Sequence, residues 1–279
     1  DRTTATVNLT NVTSVTSGTL SDLDTLATAI NASPAQFINA TNLTTNAVSD
    51  SAIDITSSAS TIDSLDQIDS GSIDMTMASG ATITVAASEI THMLTDESAG
   101  RLTISDQQIT VTGAIAVSTA NDLDGITGGI VTASIATDST VDSLATLTGT
   151  NNAYTITIAA ADATGSTAAE LTAIDNATTV AVDASAVTAL SGSYSEIVAL
   201  YESSGVSGFG DESITITGDS LSVEEANAID LLTTGVVTAS IVTDSIVDSL
   251  ATLTGTNAYT ITIAAADATG STAAELTAI

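Results

Sequence analysis

The sequence contains no cysteine, no tryptophan, a single proline and only two basic residues among 279. The absence of cysteine excludes disulfide bonds and thiolate metal sites, and it leaves the redox compartment open. The only basic residues are Arg2 and Arg101, and the chain has 33 acidic residues. It therefore cannot neutralise a phosphate backbone, and nucleic-acid binding is not expected. The sequence has no apolar run long enough for a transmembrane helix, so we expect no membrane insertion.

The residues that are abundant point to an ordered but thin core. Hydrophobic residues make up 43% of the chain, which is too many for a disordered acidic tail. Aromatic residues make up only 2%, and small apolar side chains suit a thin core between close backbone layers, as in a solenoid. The net charge of −31 keeps chains apart at low salt and is screened in brine or by divalent cations.

Internal repetition is the clearest signal in the sequence. Residues Val131–Ile174 and Val237–Ile279 are nearly identical and differ by Ala136/Val242, Thr140/Ile246 and one extra asparagine. The long period is therefore about 105 residues. Because the second copy stops in mid-repeat, we expect the natural protein to continue beyond it.

A shorter period lies inside the long one. Alternating β-branched residues predict strands, and apolar residues at helical spacing follow most of them, as at Val141/Leu144/Leu147 and Ala226/Ile229/Leu232. The predicted strands are Ile83–Val85, Ile109–Val111, Ile156–Ile158, Val180–Val182, Ile214–Ile216 and Ile261–Ile263.

Capping signals mark where the helices begin and end. A hydroxyl residue stands three positions before a glutamate at Thr167–Glu170, Ser193–Glu196 and Ser222–Glu225, which is the pattern of a capping box. Glycines at 149, 235 and 255 are placed where a helix C-terminus favours them. The glycine-rich segment 205–210 is interpreted as a long connection between a helix at 196–202 and the next strand.

These patterns predict a repeat solenoid of right-handed stacked β–α units, each of roughly 22 to 34 residues, with a parallel β-sheet and short helices. Threonine and aspartate of each strand should face solvent, and isoleucine and valine should face the helices. A pure parallel β-helix, with turns in place of helices, is the alternative, and a string of Ig-like domains is a third option that the capping boxes disfavour. We divide the chain into diverged N-terminal repeats at 1–72 and tandem strand–helix repeats at 73–279. In the first part, residues 21–30 predict a capped helix.

The segment from about Ile73 onward resembles a known class of proteins. The run SGSYSEIVALYESSGVSGFGDESITITGDSLSVEEANAIDLLTTG, together with VTASI and TTVAVDASAVTAL, is similar to units of the very long acidic tandem-repeat proteins of marine cyanobacteria and other marine bacteria. The resemblance implies a giant secreted or surface-attached protein of adhesin type. It transfers no catalytic motif.

Few residues are candidates for a site. His92 is the only histidine, and Asp96 or Glu97 could orient it, but no nucleophile motif is near. Paired carboxylates could bind Ca²⁺ with loop carbonyls, although none matches an EF-hand. The calcium candidates are Asp22, Asp24, Asp122, Asp124, Asp211 and Glu212. No cofactor is required by any pattern in the sequence.

Two functions remain after these exclusions. We expect a structural or adhesive segment of an extracellular or cell-surface filament, sheath or giant adhesin, and not an enzyme, because near-identical repeats give many equivalent surfaces and no unique pocket. Its expected partners are neighbouring repeats of the same chain or further copies. The alternative is a solenoid that binds polysaccharide, or another surface in a Ca²⁺-dependent way, through regular rows of threonine and aspartate.

Overall fold

The computed structural model describes residues 6–9, 11–12, 14–19, 22, 25–26, 29, 32, 36–38, 45–48, 52–55, 74–100, 102–159, 165–243, 246–264, 271–277 and 279. Over these residues the chain is an α/β fold with parallel sheets and short helices. It divides into two compact units. Unit 1 comprises Asp1–Ile135 and Asn151–Tyr154, and unit 2 comprises Ala136–Thr150 and Thr155–Ile279.

Unit 1 contains short strands and, among the described residues from 74 onward, two helices. The helices are α1 (Ile90–Ser98) and α2 (Val117–Ile126). The strands are β1 (Val7–Asn8), β2 (Ser14–Gly18), β3 (Phe37–Ile38), β4 (Thr45–Val48), β5 (Ala52–Ile55), β6 (Asp74–Thr76), β7 (Thr82–Ala86), β8 (Leu102–Thr103), β9 (Gln108–Ile115), β10 (Val131–Ile135) and β11 (Ala153–Thr155). The strand orders are β11-β10-β9-β7-β5, β2-β4-β6-β8 and β1-β3.

Unit 2 has the same kind of elements. Its helices are α3 (Val141–Leu144), α4 (Ala168–Asn176), α5 (Tyr194–Glu202), α6 (Val223–Asp230), α7 (Val247–Leu250) and α8 (Ala273–Leu276). Its strands are β12 (Ser166–Thr167), β13 (Val182–Asp183), β14 (Ala189–Gly192), β15 (Val206–Ser207), β16 (Ser213–Leu221), β17 (Val237–Ile241) and β18 (Ala258–Thr260). The strand orders are β12-β14-β16-β17-β18 and β13-β15.

The strand registers are parallel and align the apolar residues of successive strands. In unit 1, Ile83 on β7 lies opposite Ile109 on β9, which lies opposite Val131 on β10. All three are fully buried, whereas Thr132 next to Val131 is exposed. Because side chains alternate across a strand, one face of the sheet forms the core and the other is polar, as the sequence pattern predicts.

Three helices begin at the predicted capping residues. Thr167, Ser193 and Ser222 each accept a hydrogen bond from the backbone of the glutamate three residues later, and that glutamate bonds back to the cap. The same arrangement occurs at Thr272. Each box satisfies two backbone donors that would otherwise lack a partner at a helix start. The helices rule out the alternative in which these segments are only turns, and the parallel pairing excludes Ig-like domains.

Several predicted boundaries are wrong by a few residues. Around Tyr154 and Tyr259 the strands are β11 and β18, and they end before Ile156 and Ile261 respectively. Leu147 and Leu232 lie beyond the ends of α3 and α6. The local sequence pattern shows that a strand is present, but long-range pairing decides where the strand ends. Because the two copies have nearly the same sequence, the strand ends shift in the same way in both.

The glycine-rich segment 205–210 also differs from its prediction as a simple connection. It contains β15, which pairs with β13. Gly149 and Gly255 have positive φ, as expected after a helix, with values of 78° and 72°. Gly235 does not adopt such a conformation. A Cβ there would lie 2.3 Å from the carbonyl oxygen of Glu212, so the glycine permits a close approach of two backbones.

Candidate functional site

Among the described residues, the calcium candidates do not form a group of three ligands that could hold a metal ion. Asp22 is exposed, and its carboxylate accepts hydrogen bonds from the hydroxyl and backbone of Thr19 at 2.7 and 3.2 Å. The Thr19 hydroxyl, followed by the Thr19 backbone, lowers the pKa of Asp22. The backbone N–H of Asp22 in turn donates to the Thr19 hydroxyl at 3.0 Å, so Asp22 completes a capping box with Thr19, and its predicted partner Asp24 lies outside the described residues.

The second candidate pair lies in α2. Asp122 is exposed to solvent, whereas Asp124 is half-buried and accepts a hydrogen bond from the side-chain amide of Asn152 at 2.8 Å. Across the described part of the chain, no three His, Cys, Asp or Glu side chains come together in a way that could hold a metal ion. The calcium assignment stays a prediction.

His92 lies on the exposed side of α1. Asp96, one turn later in the same helix, is buried. Residues four positions apart are neighbours on a helix surface, so the two side chains lie one turn apart, with His92 exposed and Asp96 buried. The role of His92 stays a prediction.

A recurring hydrogen-bonded clasp, made by one asparagine, joins the end of a helix to the first residue of the next strand. In unit 1, the amide nitrogen of Asn152 donates to Asp124, and its oxygen accepts from the backbone N–H of Val131 at 2.9 Å. In unit 2, Asn257 donates to Asp230 at 2.7 Å and accepts from Val237 at 2.8 Å. One asparagine thereby satisfies both a helix-end carboxylate and the first N–H of a strand.

A tyrosine accompanies each clasp: Tyr154 is fully buried and Tyr259 is half-buried. The hydroxyl of Tyr154 donates to the carbonyl of Ala120 at 3.3 Å, and that of Tyr259 donates to Ala226 at 3.4 Å. Burial, followed by the negative charge of Asp124, raises the pKa of Tyr154. Burial and the charge of Asp230 raise the pKa of Tyr259 in the same way, against a smaller opposing effect from a hydrogen bond to Asn257. Both phenols stay neutral donors in the fold.

A variant of the clasp occurs at Asp175, at the end of α4. Its carboxylate accepts from the hydroxyl of Ser203 at 2.8 Å. Gly205, two residues after Ser203, lies so close to Asp175 that a Cβ at Gly205 would overlap the Asp175 carboxylate. A helix-terminal aspartate is thus used three times, twice with asparagine and once with serine.

A second recurring feature is the loop that precedes a long strand. We call the residues between β8 and β9 the Gln107 loop. The side-chain oxygen of Gln107 accepts from the backbone N–H groups of Ser105 and Asp106 at 2.7 and 3.2 Å. Its amide nitrogen donates to the carbonyl groups of Met77 and Ala78 at 3.3 and 3.0 Å. This buried side chain therefore uses its acceptor and both of its donor hydrogens.

The corresponding residues between β15 and β16 form the Glu212 loop. Oε2 of Glu212 accepts from the backbone N–H groups of Gly210 and Asp211 at 2.8 and 3.2 Å. Asp211 is exposed, whereas Glu212 is fully buried. The predicted pair therefore does not present two carboxylates to one ion.

A threonine after the following helix holds each loop in place. Thr127 donates to the carbonyl oxygen of Gln107 at 2.5 Å, and Thr233 donates to that of Glu212 at 2.6 Å. All four residues are buried. The two loops therefore share these contacts, although the Glu212 loop is one residue longer and carries a carboxyl group where the Gln107 loop carries an amide.

Hydroxyl groups form rows along the polar face of each main sheet. In unit 1, Thr84, Thr110 and Thr132 lie opposite one another on three adjacent strands. In unit 2, the aligned set is Thr167, Ser191, Thr215 and Thr238. Adjacent strands lie roughly 4.8 Å apart, so each row repeats hydroxyls at that spacing. None of these side chains belongs to the buried core.

Comparison of the chain with known protein families, with curated proteins and with solved structures finds no match. No helix in the described ranges is both long and apolar enough to cross a membrane. The clasps, the two loops and the hydroxyl rows all make non-covalent contacts through groups that repeat along the chain.

The sequence patterns did not reveal the clasps or the two loops. The clasp joins residues that are 27 or 28 positions apart, as in Asp230–Asn257 and Asp124–Asn152. The signal that could have found it is the recurrence of both partners with the long period, since each member occurs in both copies.

Proposed function

We propose that this chain is a structural or adhesive repeat segment of an extracellular or cell-surface assembly. The observation that carries the proposal is the recurrence of one inter-element clasp, Asp124–Asn152 in unit 1 and Asp230–Asn257 in unit 2. A contact that recurs from repeat to repeat favours a rigid architecture that can be extended by adding repeats. The same polar face is presented in each copy.

We further infer that the strands and helices of each unit stack as coils of a right-handed solenoid. Support comes from the parallel pairing of strands that begin roughly 25 residues apart, as in β14, β16 and β17, a length typical of solenoid repeats. A coil cannot bury its apolar face alone, so each coil requires a neighbour. The resemblance to long marine repeat proteins agrees with such an arrangement.

The charge supports a role outside the cell. A chain with a net charge of −31 repels its copies at low ionic strength, and seawater-like salt or divalent cations screen that repulsion. We propose that self-association and contact with other surface components depend on this screening. Calcium would then act as a counterion of the acidic face.

The experiment is deletion of the gene in the organism that produces the protein. Loss of a sheath, of cell–cell cohesion or of attachment, with unchanged growth in dispersed culture, would support the proposal. The deletion strain could then be complemented with genes that encode fewer repeats. Cohesion or attachment restored in proportion to the number of repeats would tie the effect to the length of the protein. Normal cohesion and attachment in the deletion strain would contradict it.

A second function is favoured by the hydroxyl rows. Regularly spaced hydroxyls such as Thr110, Thr132, Thr215 and Thr238 could hydrogen-bond a polymer with a matching repeat, such as an extracellular polysaccharide. Replacing Thr215 and Thr238 by valine keeps the side-chain shape and removes the donors. Unchanged retention on polysaccharide columns would remove this alternative.

A further inference from the structure

One stretch of sequence is buried in the first copy of the long repeat and exposed in the second. Leu171 and Ile174 on α4 are each 0% exposed. Their counterparts in the second copy, Leu276 and Ile279, are 48% and 40% exposed. The local sequence STAAELTAI is the same in both copies, so the difference in burial comes from what packs on each copy.

The extended segment that precedes this helix shows the same contrast. Ile156 and Ile158 are 2% and 1% exposed, whereas Ile261 and Ile263 are only half-buried. In the first copy this segment pairs with Asp183. The backbone N–H of Ile158 donates to the carbonyl of Asp183 at 2.9 Å, and the N–H of Asp183 donates to the carbonyl of Ile156 at 3.0 Å.

A single strand–helix coil covers the first copy. We call residues 178–202 the covering coil. Its strand β14 pairs with β12, which places Leu190 opposite Ser166, and its helix α5 packs against α4. Val182 and Ile197 of the coil are each 0% exposed. The strand pairing and the helix packing together bury the apolar side chains of both partners, which is the main favourable contribution to such a contact.

The fit between the covering coil and α4 depends on a glycine. A Cβ at Gly192 would lie 3.1 Å from the Cβ of Ala168 and 3.5 Å from Cδ1 of Ile197. The first distance is shorter than the ordinary carbon–carbon contact of about 3.5–4.0 Å. At the same register the next strand, β16, carries Ile216. The face of α4 therefore accepts a coil with glycine at this position and would clash with a coil that carried isoleucine there.

We propose that the second copy offers the same face as a docking site. This open face, defined by Ile261, Ile263, Ala273, Leu276 and Ile279, binds a strand–helix coil with the sequence pattern of the covering coil, supplied by a further copy of the repeat. The strand of that coil pairs with the extended segment of the open face, and its helix packs on α8. The inference names the segment through which repeats join, and it rests on the repeat assembly proposed above.

The charge of the occupant sets the conditions for docking. The covering coil carries Asp183, Glu196 and Glu202 and no basic residue, and it packs on a chain that is itself strongly acidic. Attraction between opposite charges therefore does not hold the coil in place. Docking depends on apolar burial, and salt should strengthen it by screening the repulsion between carboxylates.

The test adds a covering coil to the full chain. A chain in which Ile279 is followed directly by a second copy of residues 175–222 reproduces the order that follows Ile174. Amide hydrogen exchange, measured by NMR, reports the result at Ile263, the counterpart of Ile158. Exchange at Ile263 should slow by roughly tenfold or more when the coil is added, as expected for an amide that becomes part of a packed strand pair.

Two substitutions in the added copy separate docking from a general effect of extra chain. Gly192→Val in the added copy should abolish the slowing at Ile263. Ala181→Val, at an exposed position of the same coil, should preserve it. Exchange at Ile158 in the same samples reports that the fold is intact. Equal exchange rates at Ile263 with the native extension and with an extension of scrambled sequence would overturn the proposal.

Other occupants give different results. Slowing of exchange at Ile263 in the unextended chain as the protein concentration rises would assign the open face to contact between whole chains and would overturn the proposal. The slowing in the extended chain should be larger at high than at low NaCl concentration, and the opposite salt dependence would contradict docking by apolar burial. Because the samples are purified protein, docking can fail while the gene-deletion test of the proposed function succeeds, and the reverse.

Discussion

Asn257 donates its side-chain amide to Asp230 at 2.7 Å while its oxygen accepts the backbone N–H of Val237 at 2.8 Å. The copy in unit 1 joins Asn152 to Asp124 and Val131 in the same way. In each unit, one side chain therefore fixes the position of a helix end relative to the first residue of a strand. We regard this clasp as the element that keeps successive repeats in one register.

Removal of the clasp should destabilise the fold. Asn152 is only 2% exposed, so Asn152→Ala leaves the buried N–H of Val131 without its partner. We expect a loss of about 1–3 kcal/mol in the free energy of unfolding, measured by chemical denaturation. Asn151→Ala is the matched control, because Asn151 is the exposed neighbour in the same loop. Equal effects of the two substitutions would contradict the clasp.

The two copies of the VDSL helix provide a test of capping. Thr140 accepts a hydrogen bond from Ser143 at the start of α3. Ile246 stands at the same place before α7, makes no cap and is 51% exposed. Ile246→Thr should stabilise α7 by about 1 kcal/mol, and amide hydrogen exchange at Ser249 should slow.

The reverse substitution serves as the control for this prediction. Thr140→Ile should speed exchange at Ser143 by a comparable factor. A decrease in stability on Ile246→Thr would show that the isoleucine has a packing role that outweighs the missing cap.

The capping boxes should weaken in acid. The backbone N–H of Ser193, followed by its hydroxyl, lowers the pKa of Glu196. A lowered folded-state pKa contributes stability that is present above the ordinary range for glutamate, about 4.3, and is lost as the pH falls through the folded value. The melting-temperature difference between the native chain and Ser193→Ala should therefore shrink below about pH 4. A difference that is constant down to strongly acidic pH would contradict this assignment.

Gly235 should not tolerate a side chain. A Cβ there would lie 2.3 Å from the carbonyl oxygen of Glu212 and 2.9 Å from that of Asp211. Because both contacts are backbone atoms, the strain cannot be relieved by a rotamer change, and Gly235→Ala should cost about 1–3 kcal/mol. Gly165→Ala is the control, since nothing lies within 4 Å of a Cβ at that position. A stable Gly235→Ala protein would mean that Gly235 lies further from the backbone of the Glu212 loop than described.

The parts of the fold that the sequence predicts are those with local causes. The capping boxes at Thr167, Ser193 and Ser222 depend on residues three positions apart, and all three form. Alternation of β-branched residues likewise predicts β7 and β9. Each of these signals is contained within one element.

The parts that escaped prediction depend on distant partners. The strand β15 has only two residues and forms because it pairs with β13. A strand this short has no hydrophobic periodicity from which the sequence could predict it. Gly235 follows a helix and therefore looks like a helix terminator, yet the reason for the glycine is the backbone of Glu212, which lies many residues earlier. The burial of Glu212, likewise, depends on tertiary packing and not on any local pattern.

The proposed role as a surface assembly is tested most directly by location. Antibodies raised against this chain, with gold labels viewed by electron microscopy on sections of the cells that produce it, measure where the protein resides. The account predicts dense labelling on the cell exterior or in the surrounding matrix, lost in a gene-deletion strain. Labelling confined to the cell interior would contradict it.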